Sequence, residues 1–404
     1  MAWEELNRAG ELALERGEYS EAQRYLLKAV TEVSRDEPGR LASTLYLLGK
    51  AHAHLNDYAR AEAALTRALS ILGKLLGLEH VEVARVIDEL GLIYFNEQKY
   101  DQAEPLVRRA LEMRQKLLGE EHPDLAQSMV SVASLCESQK RSDEAIKLLT
   151  SAIAMQENMY GADDLRLAPA LGLLAVHFFN KKDYVRAHDY SLCALTLRET
   201  HLGANHPDVA VSLHVMAMIF LSQFNFEEAA NLYQRALQIR EACLPPGHSA
   251  ILSVVKHLAL CYYCLERYEE ADAAYEHLES MAESANHRDY LLTAWRQRSW
   301  LRFKSGKLRE CEKYTEHALN RMKELEITDK KTSDSLTTCL FSACVGQKKF
   351  LQAAKAFPGT AVAMTKGLMA SKAAEKNGRQ KNGRKSTNKK PLSISQSDDR
   401  SRVD

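Results

Sequence analysis

The chain has 404 residues, 46% of them hydrophobic, with 54 basic and 54 acidic side chains in formal balance. That length suits two globular domains or one extended array, and the apolar fraction is enough for most of it to fold. No apolar run approaches the length of about 20 residues that spans a bilayer. The N-terminus, "MAWEELNRAGELALERGEYSEAQ", is acidic and amphipathic, unlike a secretory or organellar leader. The expectation is a cytoplasmic protein. Scarce proline and abundant Ala, Leu and Glu point to an all-α class.

A repeat organises the chain from its first residues. "YSEA" at Tyr19 returns as "YARA" at Tyr58, "YDQA" at Tyr100, "SDEA" at Ser142 and "YVRA" at Tyr184. It continues as "FEEA" at Phe226, "YEEA" at Tyr268, "LREC" at Leu308 and "FLQA" at Phe350. The steps are 39, then five of 42, then 40 and 42, and a fixed period of this size signals stacked supersecondary units. Ten residues past the anchor a second alanine recurs at Ala29, Ala68, Ala110, Ala152, Ala194, Ala236 and Ala318.

Each unit reads as two helices. Leu125, Met129, Val132, Ala133 and Cys136 fall on one helical face, as do Ala103, Leu106, Val107, Ala110 and Leu111 before them. Gly49, Gly91, Ala133, Ala175, Ala217 and Ala259 are each 42 apart, and the pairing of Gly91 with Ala103 predicts a close helix approach. The stretch "LGEEHPDLA" (Leu118 to Ala126) returns as "LGANHPDVA" (Leu202 to Ala210). Gly119 suits a left-handed helix end, Pro123 the first turn of the next helix, and Asp124 the positive end of its dipole. His80, His122, His206 and His248 lie on the same grid. Units stacked about 10 Å apart cannot bring them to one zinc ion, whose nitrogens sit at about 2 Å, so they read as turn residues.

Spacing such as "LGLIYFNEQKYDQAEPLVRRAL" resembles the tetratricopeptide repeat, and the 42-residue form with "RALEMRQKLLGEEHPDLA" is similar to that of kinesin light chains. The resemblance covers residues 2 to 357 and is strongest from Tyr58 to Ala271. It implies a right-handed superhelical solenoid of about nine helix-turn-helix repeats whose first helices line a concave groove for partner segments. Mapped onto this sequence, the groove candidates are Tyr46, Lys50, Arg85, Asp88, Phe95, Asn96 and Glu137, then Phe179, Asn180, His214, Met218, Lys256 and Tyr263. Trp295 fits the family's aromatic position, whereas Arg298 falls where an apolar residue is expected.

The departures from that family also matter. The light-chain "LNNLA" segment is replaced by "IDELG", "MVSVA", "LGLLA", "LHVMA" and "VKHLA", so its asparagine ladder and its cargo are not carried over. The repeats start almost at Met1, without the light chains' preceding coiled coil, which argues against a motor subunit. No groove position reproduces the carboxylate clamp of chaperone-binding relatives.

After Phe357 the pattern stops. Residues 366 to 390 hold nine Lys or Arg and one Glu, and "KNGRQKNGRKSTNKK" has no apolar face, so residues 358–404 read as a flexible basic tail. Such a run suits an acidic partner, nucleic acid, anionic lipid or a nuclear address, and equally an inert solubilising end. It contains no aromatic platform for single strands. Ser386, Thr387, Ser393, Ser395 and Ser397 are candidate phosphorylation sites that would offset its charge.

The sequence contains no phosphate-binding glycine loop, nucleophile elbow or zinc-protease helix, and the single CxxC (Cys261, Cys264) sits in a helical segment with no partner pair. No cofactor or metal is expected. The functional expectation is a non-enzymatic scaffold or adaptor that binds proteins through peptide or helical segments. The rivals are a dedicated regulatory or assembly subunit of an enzyme complex, and a transport adaptor.

Overall fold

A computed structural model describes residues 2–34, 36–119 and 122–347. Among these, 17 α-helices and one short 3-10 turn (Leu165–Leu167) account for the regular structure, with no strand. The first helices of the successive pairs are α1 (Trp3–Glu15), α3 (Pro38–His54), α5 (Val81–Asn96), α7 (Pro123–Ser138) and α9 (Ala168–Asn180). They continue as α11 (Pro207–Ser222), α13 (Ser249–Cys264), α15 (Arg288–Lys304) and α17 (Lys330–Gly346). The second helices are α2 (Tyr19–Glu32), α4 (Tyr58–Leu76), α6 (Tyr100–Leu118) and α8 (Ser142–Tyr160). After them come α10 (Tyr184–Leu202), α12 (Phe226–Cys243), α14 (Tyr268–Ser284) and α16 (Leu308–Glu324).

Among the described residues, every second helix therefore starts on the residue that the sequence period marks. The ninth anchor, Phe350, lies outside the described residues. So do the tail 358–404 and its candidate sites Ser386, Thr387, Ser393, Ser395 and Ser397.

Two turn types alternate, and backbone geometry explains both. Within a pair, one residue turns left-handed: Asn56, Gln98, Lys140, Lys182, Phe224 and Glu266 all have φ between 60° and 63°. The reversal lets the next amide return to the helix just ended, as Asp57 N–H does to the His52 carbonyl at 2.9 Å. Between pairs, Gly77, Gly119, Gly161 and Gly203 end the second helices with φ of 84–87°. The ψ of Gly119 is −174°, an extended mirror-image conformation that is essentially glycine's alone rather than the left-handed helical one the sequence suggested.

The chain divides into two compact units, Met1–Leu301 and Arg302–Asp404. In the first, Ala22, Ala61, Ala103, Ala145, Ala187, Ala229 and Ala271 are fully buried, as are Ala29, Ala68, Ala110, Ala152, Ala194 and Ala236. Alanine recurs because nothing larger fits between helices this close. A Cβ on Gly49 would sit 2.6 Å from Leu65, and one on Gly91 would sit 2.5 Å from Val107. The closest neighbour of Gly91 is thus Val107, with the Ala103 carbonyl at 3.4 Å, which shifts the expected pairing by one turn.

The first unit also touches itself across nearly two hundred residues. His206 Nε2 donates to the Glu15 carbonyl (2.8 Å) and His248 Nε2 to the His54 carbonyl (3.1 Å). Asn56 Nδ2 donates to Ser249 Oγ at 2.8 Å. The turns after α1 and α3 therefore rest on the turns before α11 and α13. Near the end of this unit Arg298, out of place by the repeat pattern, is buried among the carboxylates of Asp272 (3.0 Å), Glu276 (3.1 Å) and Glu279 (2.6 Å). Three acceptors offset the desolvation of one guanidinium, which is why the position tolerates it.

In the second unit α16 packs on α17, burying Cys311, Ala318 and Met322 on one side and Leu336, Cys339, Leu340 and Phe341 on the other. Thr315 turns its hydroxyl back to the Cys311 carbonyl at 2.6 Å, so its burial leaves no orphan donor.

Candidate binding face on the first helices

The candidates Tyr46, Lys50 and Arg85 form one group, in which the Tyr46 ring is buried in the core and the two cations lie over it. Lys50 is one helical turn beyond Tyr46 on α3, and Arg85 approaches from α5. The Arg85 guanidinium lies 4.4 Å from the Tyr46 ring centroid and the Lys50 ammonium 5.8 Å from it, distances at which the ring's negative face attracts a cation. Glu89, half-buried beside them, has its carboxyl raised by burial, an effect opposed by Lys50.

Asp88 behaves differently. It is buried, and its Oδ2 accepts from Arg114 Nη1 (2.8 Å) and from Ser128 Oγ (3.3 Å). Burial raises its pKa while Arg114 pulls it back down. Although it lies on the expected face, its charge is used inside the fold.

A second set clusters at helix ends. Phe95 tilts against Tyr100 with ring centroids 5.9 Å apart, and Phe179 against Tyr184 at 6.1 Å. Glu137 accepts from His177 Nδ1 at 2.7 Å and from Asn180 Nδ2 at 2.8 Å. Asn96 and Asn180 are exposed.

His214 and Lys256 meet in a third group that the sequence brought out only in part. His214, Tyr233 and His257 form a triangle of rings with centroids 5.4–5.6 Å apart. Burial lowers His214 to about 3 and His257 to about 4, with Arg240 and Lys256 respectively adding repulsion. Burial also brings Arg240 down to about 10, and Lys256 is lowered for the same reason. The Lys256 ammonium sits 5.7 Å from the Tyr290 ring. Met218 is half-buried nearby in sequence, and Tyr263 OH accepts from Trp300 Nε1 at 3.0 Å. His214 Nδ1 and Tyr233 OH are buried with no hydrogen-bond partner.

Sequence reasoning missed the residues behind this face. Position 72 and its 42-residue successors read Leu72, Arg114, Gln156, Arg198, Arg240 and Ala282, all buried. Charged side chains in that company are a visible signal, but the apolar face of the second helices does not by itself mark the position as buried. Between α7, α9, α10 and α11 lies a cavity of about 310 Å³ whose lining includes Val130, Gly172, Ser191, Arg198 and Val215.

The grid histidines cap helices. Nδ1 of His80, His122, His206 and His248 accepts the backbone N–H two residues on at 3.1–3.2 Å. No group of three potential metal ligands occurs among the described residues. The eight cysteines carry free thiols, and burial raises Cys261 to about 12. No described helix is long and apolar enough to cross a membrane.

Models of the tetratricopeptide repeat match residues 82–158 and 166–242, and a second model of the same description matches 7–74, together more than half of the chain. The chain belongs to the tetratricopeptide repeat family.

Among solved structures this tetratricopeptide array is similar to the STAND protein PH0952 from Pyrococcus horikoshii, which carries a tetratricopeptide repeat sensor. The TM-score is 0.62 at 15% identity, over 90% of this chain and 54% of that one. A Rap protein complexed with Competence and Sporulation Factor aligns with TM-score 0.53 at 16% identity, over 87% and 97% of the two chains. BtubC (BKLC) from P. vanneervenii is 21% identical with TM-score 0.46, covering 57% of this chain and 92% of that one. At these identities the likeness is one of fold. No curated protein matches the sequence significantly.

Proposed function

We propose that the array is a non-catalytic interaction module that holds an extended or helical partner segment against its first helices. The observation that carries this reading is the cationic character of that face: Lys50 and Arg85 held against the buried Tyr46 ring, and Lys256 against the half-buried Tyr290 ring. Cations already ordered against aromatic rings on a long continuous surface meet a partner at little further ordering cost. A solenoid offers its partners such a surface and few enclosed sites. The Rap relative, solved with Competence and Sporulation Factor, agrees with a ligand-holding role for this fold.

The test is a random-peptide phage library panned against the full chain. Selected ligands should bind R85E/K256E at least about tenfold more weakly, a loss of about 1.4 kcal/mol, with helicity by circular dichroism unchanged. Arg85 pairs with Glu82 at 2.8 Å, both side chains partly exposed, so the ion pair itself contributes little to the fold, and the helicity control reports any wider loss. Undiminished binding to the variant would place recognition elsewhere.

A further inference from the structure

The third and fifth repeats carry the same buried cation in different company. In the third, Arg114 of α6 donates to the Asp88 carboxylate at 2.8 Å and to Ser128. Two periods later Arg198 of α10 keeps the serine, donating to Ser212 Oγ at 2.5 Å. The position that corresponds to Asp88 is Gly172. A Cβ there would meet nothing nearer than the guanidinium nitrogens of Arg198, at 3.8 and 3.9 Å.

Arg198 is only 9% exposed, and among the described residues no carboxylate lies within ion-pair distance; Asp208 attracts it from beyond contact. A buried cation without its anion is costly, so this arrangement lacks the part that its counterpart has. The repeat between them, where Gln156 takes the cation's place and Val130 the carboxylate's, is neutral at both positions.

A second departure opens the space. Leu65, Val107, Leu149, Tyr233 and Tyr275 fill one buried column at 42-residue steps. In the fifth repeat that column holds Ser191, 1% exposed, whose hydroxyl has no partner. Gly172 and Ser191 both line the cavity of about 310 Å³, with Val130, Val211 and Val215 among its walls.

We propose that this cavity is a subsite for an acidic side chain of the bound segment, whose carboxylate takes beside Arg198 the place that Asp88 holds beside Arg114. Ser191 supplies a further hydrogen bond, and an apolar side chain next to the acid packs on the valines. This deepens the binding role proposed above and rests on it.

The probe is a pair of acetylated, amidated hexapeptides, AALDAA and AALNAA, titrated at millimolar concentration against the full chain by saturation-transfer difference NMR. The Asp peptide should bind about tenfold more tightly or better than the Asn peptide, the worth of a hydrogen bond to a charged group. G172D supplies the missing carboxylate from within, so it should raise the thermal midpoint and abolish that preference. S191L should abolish it by filling the cavity, while G172A should retain it. Equal or absent binding of the two peptides overturns the subsite, as does a G172D variant that binds like wild type. Phage-selected ligands lost in R85E/K256E but indifferent to G172D would leave the binding face standing and remove only the acidic subsite.

Discussion

Four histidines occupy one position of the repeat, and two of them are used twice. In all four, Nδ1 accepts a backbone N–H at the start of a first helix, which leaves the ring's hydrogen on Nε2. For His206 and His248 that hydrogen goes to the last carbonyls of α1 and α3, at 2.8 and 3.1 Å. Helix-terminal carbonyls have no acceptor role left within their own helix, so a donor arriving from another turn satisfies them. His80 and His122 show the same local role without such a contact among the described residues. The lesson is that a repeat position fixes what a residue does for its own helix, while a second use depends on what the fold brings near it.

Breaking the contact between the first and sixth repeats should have the largest effect. Gly17 has φ of +75°, and a Cβ there would lie 2.2 Å from Pro207 Cγ. G17A adds left-handed strain of about 1–2 kcal/mol to overpacking of about 1–3 kcal/mol against a rigid ring. Chemical denaturation should therefore show a loss of roughly 3 kcal/mol. A loss of only about 1 kcal/mol would mean that strain alone operates and that the two turns separate freely.

Acid should act more gradually. Burial lowers the pKa of His248, and it lowers His214 and His257 to about 3 and about 4. These groups bind protons more readily in the unfolded chain than in the folded one. Their contribution is therefore complete above the unfolded value of 6.5 and is lost as pH falls from there toward 4 for His257 and 3 for His214. A tenfold difference in proton affinity between the two states is worth about 1.36 kcal/mol, and partial exposure reduces the yield, so the fall should be about 2 kcal/mol. H248N keeps a capping acceptor without a titrating ring. Its thermal midpoint should drop less than wild type between pH 7 and pH 5; an equal drop would show that His248 takes no part.

How much of this was legible in the sequence depends on the range of the interaction. The helix starts at Tyr19, Tyr58 and Tyr100 follow from a local period, and the structure begins α2, α4 and α6 on those residues. The grouping of Tyr46 with Arg85 also follows, because both sit on adjacent first helices at known register. Asp88 misled because facing inward and being available are different properties: Arg114 takes up its charge, and that pairing spans 26 residues between helices. The contact of Gly17 with Pro207 was illegible, because the period does not tell how far the stack turns per repeat. Gly172 and Ser191 could have been noticed as small residues in columns of larger ones, although a missing side chain leaves no motif to recognise.

The smallest effect is the most direct test of the histidine comparison. H122A and H206A each remove an N-cap acceptor, at a cost of about 1 kcal/mol. H206A also strips the Glu15 carbonyl of its donor, which adds about 1 kcal/mol for a hydrogen bond between turns far apart in sequence. H206A should thus cost about twice as much as H122A. Amide hydrogen exchange separates the two contributions further. H122A should loosen only the start of α7, whereas H206A should also reduce protection in α1 and α2, which are remote in sequence but joined to His206 through Glu15. Equal costs and unchanged exchange in α1 would mean that the long-range bond contributes nothing and that all four histidines are caps alone.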